Sequence, residues 1–302
     1  MKRLTTLLLT LITVAVSYGQ NATAYIDSGI ARYNNQDYAG AIELYDMALA
    51  ENKNLADAYY NKGKAEAGKK DYKSAIVDIS KAIDLNPKKS DFYNARGNVK
   101  ASFSEYSGAI NDYTQAIEIE AYSKYYFNRG VSKALTQDYN GALEDMDKVI
   151  KMSPNDAEAW DNRGNAKACL HQYKAAIADY DQAIKLAPTF VHAYCNRGHA
   201  KGNAGDYMAA KVDYNIAIQI DPSYAFAYCD RGDVKARQKD DKGAIKDFTR
   251  AIEINPDYSL AYYLRGMARV RLEQAKSACN DLKAAEKLGY KEATTALKQN
   301  CK

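Results

Sequence analysis

The sequence has little of what catalytic sites and nucleic-acid surfaces are built from. It contains three histidines in 302 residues, and no serine or cysteine stands in a nucleophile motif. The formal net charge is +4, a surplus too small to indicate a nucleic-acid partner, whose phosphates attract a basic stripe. Beyond the N-terminal segment, no apolar run approaches the roughly 20 residues that a membrane-spanning helix needs. These scarcities favour a non-enzymatic protein without cofactor, nucleic acid or membrane span.

The N-terminal segment has the pattern of an export signal. Two basic residues follow the initiating methionine, residues 7–16 are mainly apolar, and small residues precede Gln20. This order is typical of a secretory signal peptide, and the apolar part is too short to cross a bilayer. We therefore predict a signal peptide over residues 1–19 and a mature protein that is periplasmic or secreted.

A glycine recurs along the sequence at a nearly constant interval, which is one residue shorter between Gly97 and Gly130 than elsewhere. Each glycine is followed by two alanines at fixed distances (one alanine is replaced by Val149), and an aromatic stands four residues before it. Self-similarity of this kind indicates a repeat protein. Because a glycine inside a helix costs about 1 kcal/mol relative to alanine, we expect these glycines where two helices approach closely. They are Gly29, Gly63, Gly97, Gly130, Gly164, Gly198, Gly232 and Gly266.

Each unit is predicted to contain two helices joined by a turn. All five prolines close a unit, at the place where proline ends a helix without breaking it. The one shortened step falls at 119–122 and predicts a tighter connection there. The predicted units are residues 22–55, 56–89, 90–122, 123–156, 157–190, 191–224, 225–258 and 259–292, followed by a capping helix over 291–302.

These spacings of aromatic, glycine, alanine and proline resemble the tetratricopeptide repeat family over residues 22–292, and with the export signal they resemble its exported bacterial members. The resemblance implies an all-α solenoid of eight helix–turn–helix repeats in a right-handed superhelix. It also implies a concave groove, lined by the first helix of each repeat, that binds an extended or helical peptide. The carboxylate clamp with which the family binds chaperone C-termini needs lysine where this sequence has Asn94 and Asp161, so that ligand is not implied.

A basic residue precedes seven of the eight glycines, and an aspartate follows it at one fixed spacing along the chain. In the first unit both are missing together, since Ser28 and Leu44 occupy these positions. The joint absence predicts ion pairs within each repeat, with a structural role. The pairs are Lys62–Asp78, Arg96–Asp112, Arg129–Asp145, Arg163–Asp179, Arg197–Asp213, Arg231–Asp247 and Arg265–Asp281.

The predicted groove positions lie six, three and two residues before each glycine and one after it, because such residues share one face of a helix. Asparagine recurs there, and its amide both donates to and accepts from a peptide backbone. Over these positions seven acids stand against two lysines, which favours a somewhat basic protein or peptide partner. The predicted binding residues are Asp57, Tyr60, Asn61, Lys64, Asn94, Asn98, Lys124, Phe127, Asn128, Asp161, Asn162, Asn165, Asn196, Phe226 and Tyr263.

Two cysteines near the C-terminus are candidates for a disulfide. Cys279 lies in the second helix of the last unit and Cys301 at the far end of the predicted cap. In an exported protein a bond between them would attach the cap to the last repeat, and the alternative is two free thiols.

Another cysteine arrangement suggests an alternative function. His192, Cys195 and His199 follow one helix face, and Cys229 has the place of Cys195 one repeat later. Imidazole and thiolate are ligands for zinc or copper. The alternative to peptide binding is therefore a metal- or redox-linked binding protein that uses these four residues.

Overall fold

The computed structural model describes residues 21–301, so the predicted signal peptide lies outside the described residues. Within 21–301 the regular structure consists of helices and contains no strand, and no helix there is long and apolar enough to cross a membrane. The helices are α1 (21–34), α2 (Tyr38–Glu51), α3 (Ala56–Gly68), α4 (Tyr72–Leu85), α5 (Ser90–Ser102), α6 (Tyr106–Ile119), α7 (Ser123–Leu135), α8 (Tyr139–Met152), α9 (Ala157–Cys169), α10 (Tyr173–Leu186), α11 (Val191–Asn203), α12 (Tyr207–Ile220), α13 (Ala225–Arg237), α14 (Asp241–Ile254), α15 (Ser259–Arg271), α16 (Ala275–Lys287) and α17 (Lys291–Asn300).

The helices fall into two compact units, with the boundary between Ser153 and Pro154. We call residues 21–153 unit 1 and residues 154–301 unit 2. Within each unit an odd-numbered helix packs on the even-numbered helix that follows it, as α3 does on α4 and α9 on α10. The even-numbered helix also contacts the next odd-numbered one, and neighbouring odd-numbered helices contact each other. The all-α, helix–turn–helix architecture expected from the repeats is thereby confirmed.

The repeated glycines lie where the two helices of a pair come closest. A Cβ added to Gly164 would stand 2.6 Å from Cε1 of Tyr180, whose side chain is buried. The same relation, between a glycine of the first helix and the corresponding residue of the second, recurs along the chain. It places large buried side chains against the glycines, namely Tyr45, Ile79, Tyr113, Met146, Tyr180, Tyr214, Phe248 and Leu282. Close helix approach thus accounts for glycine inside these helices.

The predicted ion pairs within repeats are confirmed, and most of their aspartates contact two cations. We call this series of pairs the ladder. Six arginines contact their aspartates at 2.6 to 2.7 Å, and Lys62 contacts Asp78 at 3.3 Å. In six of these pairs of helices a second cation, four residues after the arginine, reaches the same aspartate. These second cations are Lys100, Lys133, Lys167, Lys201, Lys235 and Arg269. In the pair α3–α4 the corresponding residue is Glu66, which carries the opposite charge.

The turn inside each helix pair contains one residue in the left-handed conformation. Glycine takes this place once, as Gly205, and the other seven residues have φ between 58° and 66°. They are Gln36, Lys70, Ser104, Gln137, His171, Lys239 and Glu273. The connection between α6 and α7 has three residues, whereas the one between α4 and α5 has four. The tighter connection predicted from the shortened step is therefore present.

The last helix packs on α16. Ala293 and Ala296 of α17 are buried, and Cys279 of α16 forms a disulfide with Cys301, which directly follows α17. The bond and the two alanines attach α17 to the last helix pair.

Candidate functional site

The odd-numbered helices carry the predicted groove positions, and neighbouring odd-numbered helices of a unit contact one another. We call the side of a unit that these helices form the first-helix face. In unit 1 we consider the part formed by α3, α5 and α7, and in unit 2 the part formed by α9, α11, α13 and α15.

Two cavities adjoin on the first-helix face of unit 1. Their volumes are about 310 and 460 Å³. Asn98 and Ser102 line both of them, so the two form one trough. Six of the predicted binding residues line this trough: Tyr60, Lys64, Asn94, Asn98, Phe127 and Asn128.

Three other predicted residues of unit 1 do not line the trough. Asp57 is exposed and Asn61 is half-buried, and neither borders the two cavities. The Lys124 ammonium is already bound within the chain, since its Nζ donates to Oδ1 of Asp91 at 2.7 Å. Lys124 is therefore a poor candidate for direct contact with a partner.

A hydrogen-bond network fixes the asparagines of the trough. The Tyr113 hydroxyl, from the second-helix layer, donates to Oδ1 of Asn98 at 2.8 Å. Nδ2 of Asn128 donates to Oδ1 of Asn94 at 3.0 Å and to Oδ1 of Asn98 at 3.1 Å. Within residues 21–301 the Nδ2 groups of Asn94 and Asn98 donate to no side chain or carbonyl, which leaves two oriented amide donors for a ligand.

Lys64 lies at the other end of the trough between aromatic rings. Its Nζ is 5.0 Å from the ring centroid of Tyr33 and 5.2 Å from that of Tyr60. Burial lowers the pKa of Lys64, although the field of Asp91 acts in the opposite direction. No carboxylate of the described chain lies within ion-pair distance of Lys64, so its ammonium is stabilised by the faces of the two rings and by the field of the more distant Asp91.

Unit 2 contains a second network of the same kind. The Tyr180 hydroxyl donates to Oδ1 of Asn165 at 2.8 Å, and Nδ2 of Asn165 donates to Oδ2 of Asp161 at 3.1 Å. Nδ2 of Asn196 donates to both carboxylate oxygens of Asp161, at 3.0 and 3.2 Å. Asn162, by contrast, is engaged with its own helix, since its Nδ2 donates to the Glu158 carbonyl at 2.8 Å.

Asp161 is 5% exposed. Burial raises the pKa of Asp161, and it outweighs the hydrogen bonds from Asn196 and Asn165 and the field of His192, which lower the pKa. A buried carboxylate therefore stands on the first-helix face of unit 2.

Aromatic rings follow one another at the N-terminal ends of α11, α13 and α15. The ring centroids of His192 and Tyr224 are 5.3 Å apart, those of Tyr224 and Phe226 5.4 Å, and those of Phe226 and Tyr258 5.0 Å. Phe226 is 48% exposed. Tyr263, the last of the predicted anchors, lies instead against Tyr290 with centroids 4.7 Å apart. Phe226 thus remains open for contact, whereas Tyr263 is partly covered by the C-terminal segment.

Sequence profiles of one repeat family match this chain in five places. The family described as "Tetratricopeptide repeat" matches residues 56–89, 123–156, 191–224 and 227–258, and the one described as "TPR repeat" matches 170–205. Together the matched segments cover more than half of the sequence. The chain belongs to the tetratricopeptide repeat family.

Solved structures share the fold, among them those of two other tetratricopeptide repeat proteins. A tetratricopeptide repeat protein from Parabacteroides merdae aligns at a TM-score of 0.71 and 21% identity, over 82% of this chain and 99% of that one. The C-terminal part of a TPR repeat-containing protein from Cytophaga hutchinsonii aligns at 0.63 and 19% identity, over 78% and 97%. The Cut9–Hcn1 hetero-tetramer of the APC/C aligns at 0.63 and 16% identity, over 85% of this chain and 52% of that one. No curated protein matches the sequence.

The metal site considered for this tetratricopeptide repeat protein is not assembled. Cys195 and Cys229 are buried, and burial raises the pKa of both thiols, that of Cys229 to about 12. Nε2 of His199 is instead 2.9 Å from Oδ2 of Asp230. Among residues 21–301 no group of three or more potential ligands could hold a metal ion. Because protein interiors accept cysteine as a small apolar residue, the two thiols are parts of the core.

His199 connects two repeats. Partial burial lowers its pKa, but the hydrogen bond and the field of Asp230 outweigh this, so the pKa of His199 is raised overall. Asp233 and Arg237 form an ion pair at 2.7 Å. Together with His199 and Asp230 they line a small cavity of about 50 Å³ between α11 and α13. Asp230 and Asp233 therefore already have partners within unit 2.

Sequence reasoning missed the tyrosines that orient the asparagines. Tyr113 follows Asn98 at the same distance along the chain at which Tyr180 follows Asn165. This recurrence was available as a signal, because two residues that repeat together at one spacing are expected to meet in every repeat that contains both. The predicted groove positions, however, lie on the first helices alone, and both tyrosines belong to second helices.

Proposed function

We propose that this chain is a non-enzymatic scaffold that binds a segment of another polypeptide on its first-helix faces. The tetratricopeptide repeat fold is an interaction fold, and the oriented asparagine network in the trough of unit 1 carries the finer proposal. Asn94 and Asn98 present amide donors at fixed positions, and the Tyr60 and Phe127 rings offer apolar contact at either end. Amide donors match the carbonyls of any peptide backbone, whereas the rings select apolar side chains.

A pulldown with matched variants tests the trough. The bait is the purified chain beginning at Gln20, and the source is a lysate of the cells that produce the protein. Tyr60→Ala with Phe127→Ala removes two rings of the trough. Met47→Ala with Val77→Ala removes two exposed apolar side chains, 45% and 67% exposed, from second helices.

A partner retained by the wild type and by the second-helix variant, and lost by the trough variant, is the expected result. If both variants retain the same partner, the trough is not the binding surface. Circular dichroism of both variants establishes that they are folded.

We further propose that the protein is exported, on the strength of the signal-like pattern over residues 1–19. Mass spectrometry of the protein purified from producing cells is expected to give an N-terminus at Gln20. A mature chain that retains residues 1–19 would refute export by cleavage.

A further inference from the structure

Asp161 differs from the other buried aspartates of the described chain. Eight aspartates are buried there, and seven of them contact at least one lysine or arginine. Those seven are Asp112, Asp145, Asp179, Asp213, Asp241, Asp247 and Asp281. Asp161 is the exception, because only the amides of Asn165 and Asn196 donate to it. The amides satisfy its oxygens but leave its negative charge without an opposite charge, which is costly in a buried position.

Unit 1 contains the neutral counterpart of this site. Asn94 has the place of Asp161 in its repeat, three residues before the glycine, and each receives a hydrogen bond from the asparagine two residues before the next glycine. An equivalent hydrogen bond from a tyrosine to an asparagine completes each network, from Tyr113 to Asn98 in unit 1 and from Tyr180 to Asn165 in unit 2. The two networks therefore correspond residue by residue, and the amide of Asn94 is replaced by the carboxylate of Asp161.

The surroundings of Asp161 favour a cation as well. The rings lie next to the Asp161 network through α11. Nδ2 of Asn196 donates to Asp161 at 3.0 Å, and the ring of His192, about one helical turn before Asn196, has its centroid 5.3 Å from that of Tyr224. The Tyr224 ring centroid lies 5.4 Å from that of Phe226, whose ring is exposed. The faces of aromatic rings attract cations, and nearby carboxylates add to that attraction.

Two arginines on the first helices of the following repeats are engaged elsewhere. Nε of Arg237 lies 2.7 Å from Asp233, and Nη2 of Arg271 lies 2.6 Å from Asp241. Within residues 154–301 no lysine or arginine contacts Asp161, and the basic group whose field lowers its pKa is the His192 imidazole.

Unit 1 shows how such a combination binds a lysine. The Lys124 ammonium contacts Asp91 at 2.7 Å and lies 5.0 and 5.6 Å from the ring centroids of Tyr125 and Tyr122. In unit 2 the position of Lys124, six residues before the glycine, is taken by His192. Glu158 has the place of Asp91 there, and Asp161 lies three residues further along α9, so carboxylates are present on this helix and the lysine is not.

We propose that the first-helix face of unit 2 binds a lysine or arginine side chain of the partner polypeptide, between the Asp161 carboxylate and the rings of Tyr224 and Phe226. The inference rests on the proposed function, since it specifies the chemistry of the segment that the scaffold binds. Charge complementarity of this kind sets which partners are accepted and how fast they associate.

Selection from a phage-displayed library of random dodecapeptides tests this, because the library offers every type of side chain to the surface. The wild type, Asp161→Asn and Asp84→Asn are immobilised in parallel. Asp161→Asn recreates the neutral network of unit 1, and Asp84→Asn removes the same charge from an exposed position on the second helix α4. The proposal predicts enrichment of lysine and arginine on the wild type and on Asp84→Asn, and its loss on Asp161→Asn.

The outcomes separate the inference from the proposed function. Enriched peptides without a bias towards lysine and arginine, or an equal bias on Asp161→Asn, would overturn the inference and leave peptide binding intact. No enrichment on any of the three proteins would count against peptide binding itself and against the inference with it. Thermal melts establish that the variants are folded.

A double-mutant cycle then measures the contact. One enriched peptide is synthesised with its basic residue and with glutamine in that place, and both are titrated against the wild type and Asp161→Asn by fluorescence anisotropy. The glutamine peptide is expected to bind the wild type about tenfold more weakly or worse, and the two peptides are expected to bind Asp161→Asn equally. A basic peptide that binds both proteins with the same affinity would refute the contact.

Discussion

Arg163 binds Asp179 with two parallel hydrogen bonds, from Nε to Oδ2 at 3.0 Å and from Nη2 to Oδ1 at 2.7 Å. Lys167 contacts the same carboxylate, with Nζ 2.6 Å from Oδ2. Asp179 is 3% exposed, so two cations neutralise one buried carboxylate between the helices of the pair. The first cation is the residue directly before the glycine, and the second is the residue about one helical turn after the first.

We predict that Arg163→Ala lowers the free energy of unfolding by about 3 kcal/mol, because Asp179 loses its bidentate partner. Lys167→Ala alone is expected to cost less, and the double variant more than the sum of the two, since Asp179 is then buried without any cation. Urea unfolding of the three variants measures this. A near-neutral Arg163→Ala would show that the ladder contributes nothing to stability.

Glu66 reverses the charge of the second cation in the pair α3–α4. Burial and, next to it, the field of Asp78 raise the pKa of Glu66 from 4.5 to about 8, although Lys62 opposes them. The folded state therefore binds more protons than the unfolded state between about pH 4.5 and pH 8. The free energy of unfolding is expected to fall through this window as pH rises, by at most about 1.4 kcal/mol per pH unit.

Two substitutions test the role of Glu66. Glu66→Gln should flatten the pH dependence between pH 5 and 8, because the titrating group is gone. Glu66→Lys recreates the arrangement of the other pairs, where a lysine reaches the aspartate, and should be more stable than the wild type at pH 8. Thermal melts across pH measure both, and an unchanged pH profile in Glu66→Gln would contradict the assignment.

Two glycines of α11 should respond oppositely to alanine. A Cβ at Gly198 would stand 2.8 Å from Cε1 of the buried Tyr214, whereas one at Gly202 would meet only the Cβ of Ala210 at 3.9 Å. Gly198→Ala is expected to destabilise by about 1–2 kcal/mol, since overpacking exceeds the gain in helix propensity. Gly202→Ala is expected to stabilise by about 0.5–1 kcal/mol. Urea unfolding decides, and equal signs would refute the close-approach explanation.

Reduction of the Cys279–Cys301 disulfide should loosen α17. The bond closes a loop with a sequence separation of 22 residues, which the chain-entropy model values at about 3 kcal/mol. Dithiothreitol is expected to lower the melting temperature and to speed amide exchange in α17. Cys279→Ser with Cys301→Ser should resemble the reduced protein and be indifferent to dithiothreitol. A wild type equally insensitive to reductant would show that the bond does not stabilise the fold.

Much of the fold could be predicted because the repeat places equivalent residues in equivalent surroundings. The joint absence of cation and aspartate in the first unit was enough to predict that Arg163 pairs with Asp179 and not with a residue of the next repeat. The candidate site was harder, because Lys124 and Asn162 stand at groove positions and yet bind Asp91 and the Glu158 carbonyl. The position of a residue within the repeat indicates on which helix face its side chain lies. It does not indicate whether that side chain forms a hydrogen bond or ion pair with a neighbour in the same chain.

The sequence by itself determined the period, the helix pairs, the close approach of the helices at the glycines, and the pairing of arginine with aspartate. Each of these depends on contacts at a fixed separation within one repeat. Only the tertiary structure decided which buried charges are balanced. The second cation, such as Lys167 on Asp179, recurs at one spacing and could also have been found in the sequence. The burial of Glu66 beside Asp78 and of Asp161 among amides could not. The difference arises from packing. Packing removes water from a carboxylate, and the stability of its charged form then depends on the charges and hydrogen-bond donors within a few ångströms.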